Sequence, residues 1–443
     1  MKPPRVRLSP MLVRSPAFRR FPDRVSAGLQ TKCVAVGIVL KSLATIRTIR
    51  PPRTMKHRWI FSLLVAFAAG HLAGCASHNV RHAASAPAAF AKELRALQNH
   101  FAPDYHLAVY EVNFETRGQE IILSGEVDRE EARLDTVRAA ERTGAKVTDR
   151  IRVLPGAELG ATNWGITTLS VANGRENDDH KAELGTQTLM GEVVRVLKRR
   201  GRWLFVQSHD QYLSWMENGS LKLCTREEAE AWEKSSLLIV TADEGLIIES
   251  PSDTDVRPVS DVVLPGRVKH IGDAGDWFKV ELPDGRSGYL AKNLATDYAG
   301  WKKDRRPTAD DIEHTARGYL GRPYLWGANT PRGLDCSGFT KLTFFLNGIE
   351  LNRNASQQAR QGTEVPLDRN LSQLKKGDLL FFGFERPGDA PGRVSHAGIY
   401  LGDKLFIQSS QRVRLSSLDP DSPLADKSRI RGLIKARRVL PEP

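Results

Sequence analysis

Asp335-Cys336-Ser337-Gly338-Phe339 is the stretch that decides the fold of the C-terminal part of this 443-residue chain. The residues before it, 324–334, contain two glycines and one proline, a composition that predicts a tight loop. The apolar residues that follow lie at helical spacing: Phe339, Leu342, Phe345 and Leu346. The pattern therefore predicts Cys336 at the N-terminus of a helix, where the helix dipole and unpaired N–H groups favour a thiolate and can hold an oxyanion.

A histidine downstream of Cys336 lies in a predicted β-hairpin. Residues 394–401 and 405–409 are typical of strands, and Gly402-Asp403-Lys404 is typical of the turn between them. A loop of two or three residues at this turn would place His396 and Gln408 side by side on the sheet. A base beside a polar residue that can orient its ring is what nucleophilic catalysis by a cysteine requires.

Four motifs in the C-terminal part occur in the order typical of one enzyme family. They are Pro323-Tyr-Leu-Trp-Gly327, Asp335-Cys-Ser-Gly-Phe339, Leu374-Lys-Lys-Gly-Asp-Leu-Leu-Phe-Phe382 and Ser395-His-Ala-Gly-Ile-Tyr-Leu-Gly402. Through them, residues 308–440 closely resemble the NlpC-type family of papain-like cell-wall peptidases. The resemblance implies a cysteine peptidase domain. No metal or cofactor is expected, since the sequence offers neither a metal-ligand cluster nor a phosphate-binding loop.

Residues 160–225 and 235–298 repeat one pattern of short alternating strands with aromatic residues. The first copy contains Trp203-Leu-Phe-Val-Gln207 and Tyr212-Leu-Ser-Trp215, and the second contains Trp277-Phe-Lys-Val-Glu281 and Gly288-Tyr-Leu290. The two copies resemble tandem bacterial SH3-like barrels. Paired barrels before an NlpC-type domain are similar to the γ-D-glutamyl-L-diamino acid endopeptidases, so the resemblance covers roughly residues 160–440.

Residues 91–154 predict a small α/β domain. A helical segment is followed by elements in the order β-β-α-β. This order, together with Leu123-Ser-Gly-Glu-Val127, resembles the BON-type domain of bacterial envelope proteins, although a generic α/β spacer explains the pattern equally well. The chain as a whole is expected to be a multidomain α+β protein.

The resemblance implies a role in the reaction for four residues. Cys336 would attack the amide between γ-D-Glu and the diamino acid, and His396 would take the thiol proton and later protonate the leaving amine. Gln408 stands where the family commonly has a second histidine, and its neutral amide can still orient His396 but cannot hold charge. Tyr324 matches a loop tyrosine that helps at the oxyanion site.

The resemblance also implies how the N-terminus of the substrate is recognised. Asp335 and Ser337 match residues that grip the free α-amine of a terminal L-Ala, as a carboxylate suits an ammonium group. Glu183 and Tyr212, in the first predicted barrel, stand where the family places further amine contacts. Asn354 stands where the family usually has Asp, so one carboxylate is missing. Already-trimmed peptidoglycan peptides are the expected substrates, because an acylated amine would leave the aspartate buried and unpaired.

The front of the chain resembles a bacterial lipoprotein signal. Met55-Lys-His-Arg58 is basic, the next dozen residues are apolar, and Leu72-Ala-Gly-Cys75 resembles the lipobox, whose cysteine is lipidated after cleavage. The alternative is an ordinary signal peptide with an incidental cysteine. The expected segments are an upstream stretch that is disordered or wrongly assigned (1–54), the signal peptide (55–74) and a tether (75–90). We expect a monomer, held by lipid on Cys75 at the periplasmic face of a membrane, with the outer membrane favoured.

The formal net charge of +13 does not indicate a nucleic-acid binder. Residues 1–54 carry twelve Lys and Arg and one Asp, a net of +11, and residues 55–74 add +2, so the remainder of the chain is neutral. A neutral mature chain has no electrostatic basis for binding nucleic acid.

Two other functions remain open from the sequence. The departures at Gln408 and Asn354 fit a cell-wall-binding module whose catalytic site has decayed, and the Cys336–His396 pair also fits an amidase or acyltransferase. The intact cysteine and histidine favour the peptidase over the binding module. The aspartate and serine that flank the cysteine favour recognition of a peptide amine over acyl transfer.

Overall fold

A computed structural model describes residues 86–252, 254–383 and 392–441 of the chain. Every element named below lies within these ranges. The predictions for residues 1–54, for the signal at 55–74, for Cys75 and for the first part of the tether fall outside them. None of the helices in the described ranges has the length and hydropathy needed to cross a bilayer.

The N-terminal part combines two helices with a small sheet. Its elements are α1 (Ala86–Phe101), β1 (Tyr110–Arg117), β2 (Glu120–Val127), α2 (Glu130–Glu141) and β3 (Lys146–Val153). The apolar strand β2 is central, antiparallel to β1 and parallel to β3. Helix α1 starts at Ala86, so residues 86–90 are helical rather than part of a tether. The physical reason is that Phe90 is buried, with its ring centroid 4.9 Å from that of Phe114.

An antiparallel sheet follows the N-terminal part. Its strands are β4 (Trp164–Thr167), β5 (Val171–Arg175), β6 (Leu184–Leu189), β7 (Val193–Arg200), β8 (Trp203–Gln207), β9 (Leu213–Glu217) and β10 (Leu221–Cys224), in the sheet order β10-β4-β7-β8-β9-β5-β6. Val196, Leu204 and Met216 are completely buried in its core. Helix α3 (Arg226–Glu233) begins with a capping box between Thr225 and Glu228 and leads to the next sheet.

A second antiparallel sheet lies between residues 237 and 297. Its strands are β11 (Leu237–Val240), β12 (Glu244–Ile248), β13 (Pro258–Val263), β14 (Arg267–Ala274), β15 (Trp277–Glu281), β16 (Ser287–Ala291) and β17 (Ala295–Asp297), in the order β13-β12-β16-β15-β14-β11-β17. Short 3₁₀ helices are Ala157–Leu159, Asn218–Ser220 and Lys292–Leu294. The two sheets are in contact, because the Arg267 N–H donates to the Met190 carbonyl at 2.7 Å.

The C-terminal part is built on a third sheet with helices beside it. Its elements are α4 (Tyr298–Asp304), α5 (Ala309–Gly318), β18 (Asn329–Thr330), β19 (Gly333–Leu334), α6 (Cys336–Leu346), α7 (Ala355–Gln358), β20 (Thr363–Val365), β21 (Leu379–Phe382), β22 (His396–Gly402), β23 (Leu405–Ser410), β24 (Arg412–Ser417), α8 (Lys427–Gly432) and β25 (Leu433–Arg438). The main sheet has the order β20-β25-β21-β22-β23-β24.

Helix α6 packs against strand β22 of this sheet. Phe339 of the helix is fully buried in one core with Ile399 and Ile407 of the sheet. Gly338 permits a close approach on the other side, since a Cβ there would lie only 2.2 Å from the carbonyl oxygen of Ala328. Packing therefore fixes the first turn of α6, which carries the predicted nucleophile.

The loop between α1 and β1 reaches across to the first antiparallel sheet. The Leu213 N–H donates to the His106 carbonyl at 2.7 Å, and Gln207 Nε2 donates to the Leu107 carbonyl at 3.1 Å. On the other side, Asn329 Nδ2 donates to the Gln187 carbonyl at 3.2 Å. These bonds hold the N-terminal part, the first sheet and the C-terminal part around one cleft.

Candidate active site

The cleft is a cavity of about 450 Å³ that three separate parts of the chain enclose. Its walls include Tyr105 and His106 from the loop after α1, Glu176, Glu183, Gly185 and Tyr212 from the first sheet, and Tyr324, Trp326, Gly327, Asp335, Cys336, Ser337, Asn354, Ala355, Ser356, Arg393, Val394 and Ser395 from the C-terminal part. His396 and Gln408 follow directly behind, in β22 and β23. The structure thus brings all the residues singled out in the C-terminal part and the first sheet to one place.

Cys336 is the first residue of α6 and is 7 % exposed. Burial raises the pKa of its thiol to about 11, and the negative charge of Asp335 acts in the same direction. Hydrogen bonding by the Ala397 and Ser337 backbones and the charge of Arg353 only partly oppose this rise. The position of Cys336 at a helix N-terminus predicted that its thiolate would be favoured. In the folded chain the loss of hydration outweighs the dipole, so the free protein holds a neutral thiol.

His396 is held by a hydrogen-bonded group behind the cleft. Its Nε2 lies 2.7 Å from Gln408 Oε1. Gln408 Nε2 donates to Ser416 Oγ at 2.8 Å and to Asp426 Oδ2 at 3.1 Å. A carboxylate can only accept, so this contact fixes which end of the amide faces the histidine. Gln408 Oε1 therefore accepts the Nε2 proton of His396, which leaves Nδ1 as the free basic nitrogen.

The surroundings of His396 keep its ring neutral. Burial and, to a smaller extent, the positive charge of Arg429 lower the pKa of His396 to about 3, although the bond to Gln408 acts in the opposite direction. Asp426 and Arg429 were absent from the sequence prediction. They lie at the start of the short helix α8, 18 and 21 residues beyond Gln408, where no periodic pattern links them to the hairpin.

Tyr324 reaches the cleft from the loop before α6. Its N–H donates to the Gln411 carbonyl at 2.9 Å, which ties this loop to the edge of the main sheet. Burial raises the pKa of the phenol above its ordinary value, and the negative charge of Asp335 raises it further. The hydroxyl therefore stays protonated and can donate a hydrogen bond near the thiol.

Asp335 already has a cationic partner within the chain. Arg353 Nη2 lies 2.5 Å from Asp335 Oδ2, and Arg353 Nη1 lies 3.2 Å from Asp335 Oδ1 and 3.1 Å from Ser337 Oγ. The Gly338 and Gly327 N–H groups also donate to this carboxylate, at 2.6 and 3.0 Å. The sequence prediction assigned Asp335 and Ser337 to the substrate amine. In the structure the carboxylate is neutralised by an arginine that is 1 % exposed.

Replacing Arg353 with methionine is expected to lower the free energy of unfolding by about 3–5 kcal/mol, because the Asp335 carboxylate would remain buried without a cationic partner. Urea denaturation followed by circular dichroism measures this loss. Arg360→Met is the matched control, since the Arg360 side chain is 63 % exposed. Equal denaturation midpoints for the two variants would contradict the structural role of the Arg353–Asp335 pair.

The acidic end of the cleft includes residues that the sequence prediction missed. Tyr212 Oη donates to Glu176 Oε1 at 3.1 Å, and Glu176 is a carboxylate that the sequence prediction did not name. Glu183 lines the cavity with an exposed side chain. Glu176 directly follows strand β5, and no motif in the sequence distinguishes it from its neighbours.

His106 lies at this acidic end with both ring nitrogens near carboxylates. Its Nε2 is 3.5 Å from Glu176 Oε2, and its Nδ1 is 3.3 Å from Asp104 Oδ1. The ring stacks on Tyr212 with centroids 5.1 Å apart, and the side-chain amide of Asn354 lies 3.4 Å from Nδ1. Burial alone would lower the pKa of His106, but the bonds to Asp104 and Glu176 raise it to about 9.

Comparison with known proteins identifies the class of this chain. Residues 321–429 match the NlpC/P60 family, and residues 175–221 match the bacterial dipeptidyl-peptidase Sh3 domain. The chain is 30% identical to the gamma-D-glutamyl-L-lysine dipeptidyl-peptidase of Bacillus cereus over 267 residues, which span 58% of this chain and 76% of that protein. It is 31% identical over 232 residues to the protein of the same name from Bacillus subtilis, spanning 51% of this chain and 71% of that protein.

A solved structure supports the same relationship. The crystal structure of an NlpC/P60 family protein from Bacillus cereus matches with a TM-score of 0.53 and 26% identity, covering 63% of this chain and all of that one. The chain therefore belongs to the NlpC/P60 family. It is a cysteine-type hydrolase of the peptidase kind, with an NlpC/P60 domain and a bacterial SH3 domain, as the resemblance in the sequence implied.

Proposed function

We propose that this protein is an endopeptidase that hydrolyses the bond between γ-D-glutamate and a diamino acid in peptidoglycan-derived peptides with a free N-terminal L-Ala. The observation that carries the proposal is the arrangement of one cleft: a cysteine at a helix N-terminus, a histidine oriented by an amide, and an acidic end formed by the first sheet. Relatives named gamma-D-glutamyl-L-lysine dipeptidyl-peptidases support the choice of bond.

Cys336 and His396 carry the bond cleavage in this proposal. Nδ1 of His396 takes the thiol proton as Sγ attacks the carbonyl carbon of the γ-D-glutamyl amide. The resulting oxyanion is held by backbone N–H groups at the start of α6 and by the Tyr324 hydroxyl. His396 then protonates the leaving amine of the diamino acid. A water molecule activated by the same nitrogen hydrolyses the thioester, which frees the γ-D-glutamyl product and restores the Cys336 thiol.

Gln408 acts in this proposal as a positioning residue for His396. Replacing it with alanine is expected to lower kcat by about tenfold to hundredfold with KM unchanged, because the ring loses the acceptor that fixes its tautomer. Gln408→His should keep most of the activity, since an imidazole can also accept from Nε2. Steady-state kinetics measures both, with exposed Gln373→Ala as the control. A fall in kcat for Gln408→Ala that is matched by a rise in KM would argue against positioning.

The acidic end of the cleft receives the substrate amine in this proposal. Glu183 and Glu176 offer carboxylates to an ammonium group, and Tyr212 holds Glu176 in place. Asp335 and Ser337 contribute less directly than the family resemblance implied, because Arg353 already engages both. Asp335 instead caps α6 through the Gly338 N–H and so keeps Cys336 at the mouth of the cleft.

The test is hydrolysis of L-Ala-γ-D-Glu-diaminopimelate, beside its N-acetylated form and beside Cys336→Ala. Release of diaminopimelate from the free-amine peptide alone, and only with Cys336 present, is the expected result. Equal cleavage of both peptides would refute the free-amine requirement and favour action on intact stems. Cleavage of neither by a folded protein would leave a wall-binding module or an amidase or acyltransferase as the better reading.

We also propose an anchoring and domain assignment around this enzyme. The sheet of β11–β17 is a second SH3-like barrel, and residues 91–154 form a BON-like domain. Cys75 carries lipid that holds a monomer at the periplasmic face of the outer membrane. Radiolabelled palmitate incorporated by the wild-type protein, and not by Cys75→Ala, is the result expected from this anchoring.

A further inference from the structure

The loop between α1 and β1 places a cationic side chain at the acidic end of the cleft that contains Cys336. Backbone and side-chain bonds seat this loop on the first sheet, through the Leu213 N–H and Gln207 Nε2. The loop is also tied to the C-terminal part, because Gln357 Nε2 donates to Asp104 Oδ2 at 3.1 Å. The imidazole of His106 is therefore fixed from two sides and lines the cavity itself.

Two carboxylates at the acidic end of the cleft face the ring of His106. Glu176 faces it from the first sheet at 3.5 Å and Asp104 faces it from its own loop at 3.3 Å. Asn354, on the C-terminal part, contributes no charge, and Tyr105 and Tyr212 flank the ring with aromatic faces. A raised pKa keeps the ring protonated at neutral pH. Glu176 is thus satisfied by a positive charge before any substrate arrives.

We propose that His106 is a specificity-determining residue of this cleft: it is a cation supplied by the chain at the end that receives the N-terminus of the substrate. The inference rests on the proposed function, since it concerns the amine subsite of the same cleft. An ammonium group that binds Glu176 shares this carboxylate with His106 or displaces the imidazole, and one that binds Glu183 still meets the positive charge of His106 in the same cavity. An uncharged N-terminus meets no such opposition. His106 therefore reduces the preference for charged N-termini that the carboxylates alone would produce.

The experiment compares two peptides that differ only in charge at the N-terminus. They are L-Ala-γ-D-Glu-diaminopimelate and propionyl-γ-D-Glu-diaminopimelate, which has the same carbon skeleton without the amine. Isothermal titration calorimetry at pH 7 gives both dissociation constants for Cys336→Ala, for Cys336→Ala with His106→Gln, and for Cys336→Ala with His106→Lys. His180→Gln in the same background is the matched control, because His180 also pairs with a glutamate, Glu217 at 3.4 Å, but with a side chain that is 58 % exposed.

Removing the positive charge of His106, in His106→Gln, should shift the ratio of the two dissociation constants by at least about fivefold in favour of the ammonium peptide. His106→Lys and His180→Gln should leave the ratio near its starting value. The use of a ratio separates charge from folding, since a loosened loop would weaken both peptides alike. An unchanged ratio in His106→Gln, or equal weakening of both peptides, would overturn the inference, as would the absence of binding in every variant.

Hydrolysis by proteins with Cys336 intact separates this inference from the proposed function. If neither peptide is cleaved but the binding ratio shifts with His106→Gln, the proposed reaction is wrong and the role of His106 stands. If the ammonium peptide is cleaved and the ratio does not shift, the reaction stands and the role of His106 is wrong. A shift in the ratio of kcat/KM values that follows the binding ratio supports both.

Discussion

Replacing Cys336 with alanine should reduce peptide hydrolysis by at least about 10⁴-fold, because a residue that forms the covalent intermediate has no substitute in the cleft. The structure sharpens this expectation. The thiol lies at the first turn of α6, and burial keeps it neutral in the free protein, so reaction depends on proton removal during attack. Rates of diaminopimelate release at saturating peptide measure the effect.

Cys224→Ala is the matched control for this variant. Cys224 is also a buried free cysteine, but it ends strand β10 in the first sheet. Burial raises the pKa of its thiol to about 11 as well, so the two cysteines resemble each other in burial and differ in their place in the fold. Activity that survives Cys336→Ala, or that is lost in Cys224→Ala with the fold intact, would contradict the assignment of the nucleophile.

Replacing His396 with glutamine should lower kcat by roughly 10³-fold, the middle of the range typical for loss of a general base. Glutamine can keep the contact with Gln408 but cannot carry a proton between sulfur and leaving group. The exposed His314→Gln on helix α5 controls for the loss of a histidine elsewhere in the same domain. A kcat within tenfold of wild type for His396→Gln would exclude this histidine as the base.

The pH dependence of kcat/KM gives an independent check on His396, because it reports the pKa values of the free enzyme. The ring of His396 must be neutral to accept the thiol proton, and burial holds its pKa well below the ordinary value. The wild-type kcat/KM should therefore stay nearly constant between pH 7 and pH 5.5. A histidine with the usual pKa of about 6.5 would leave roughly a tenth of the activity at pH 5.5, so a loss of that size would contradict the lowered pKa.

The sequence predicted which residues meet at the cleft better than it predicted the charge balance there. Cys336, His396 and Gln408 could be found because each lies in a local pattern, either a helix start or a hairpin whose loop length sets the register. The observed hairpin pairs Ile399 with Ile407 and Tyr400 with Phe406, and the predicted contact between His396 and Gln408 is present at 2.7 Å.

Ion pairs between segments that are distant in the sequence could not be predicted from local sequence patterns. Arg353 neutralises Asp335 from 18 residues away, and His106 meets Glu176 from a different part of the fold. The direction of the Cys336 pKa also could not be inferred, because hydration depends on how completely neighbouring segments cover a side chain and not on the residues beside it in the chain.

The hydrogen bonds between the α1–β1 loop and the C-terminal part determine when, during synthesis of the chain, the cleft can form. Asn354 and His106 are separated by 248 residues, and Gln357 and Asp104 by 253. In addition, the last strand, β25, lies between β20 and β21 inside the main sheet. A nascent chain can therefore neither complete the sheet that carries His396 nor form the end of the cleft around His106 until strand β25 has emerged. A chain that lacks residues 104–107 or strand β25 should lose one side of the cleft or the complete sheet.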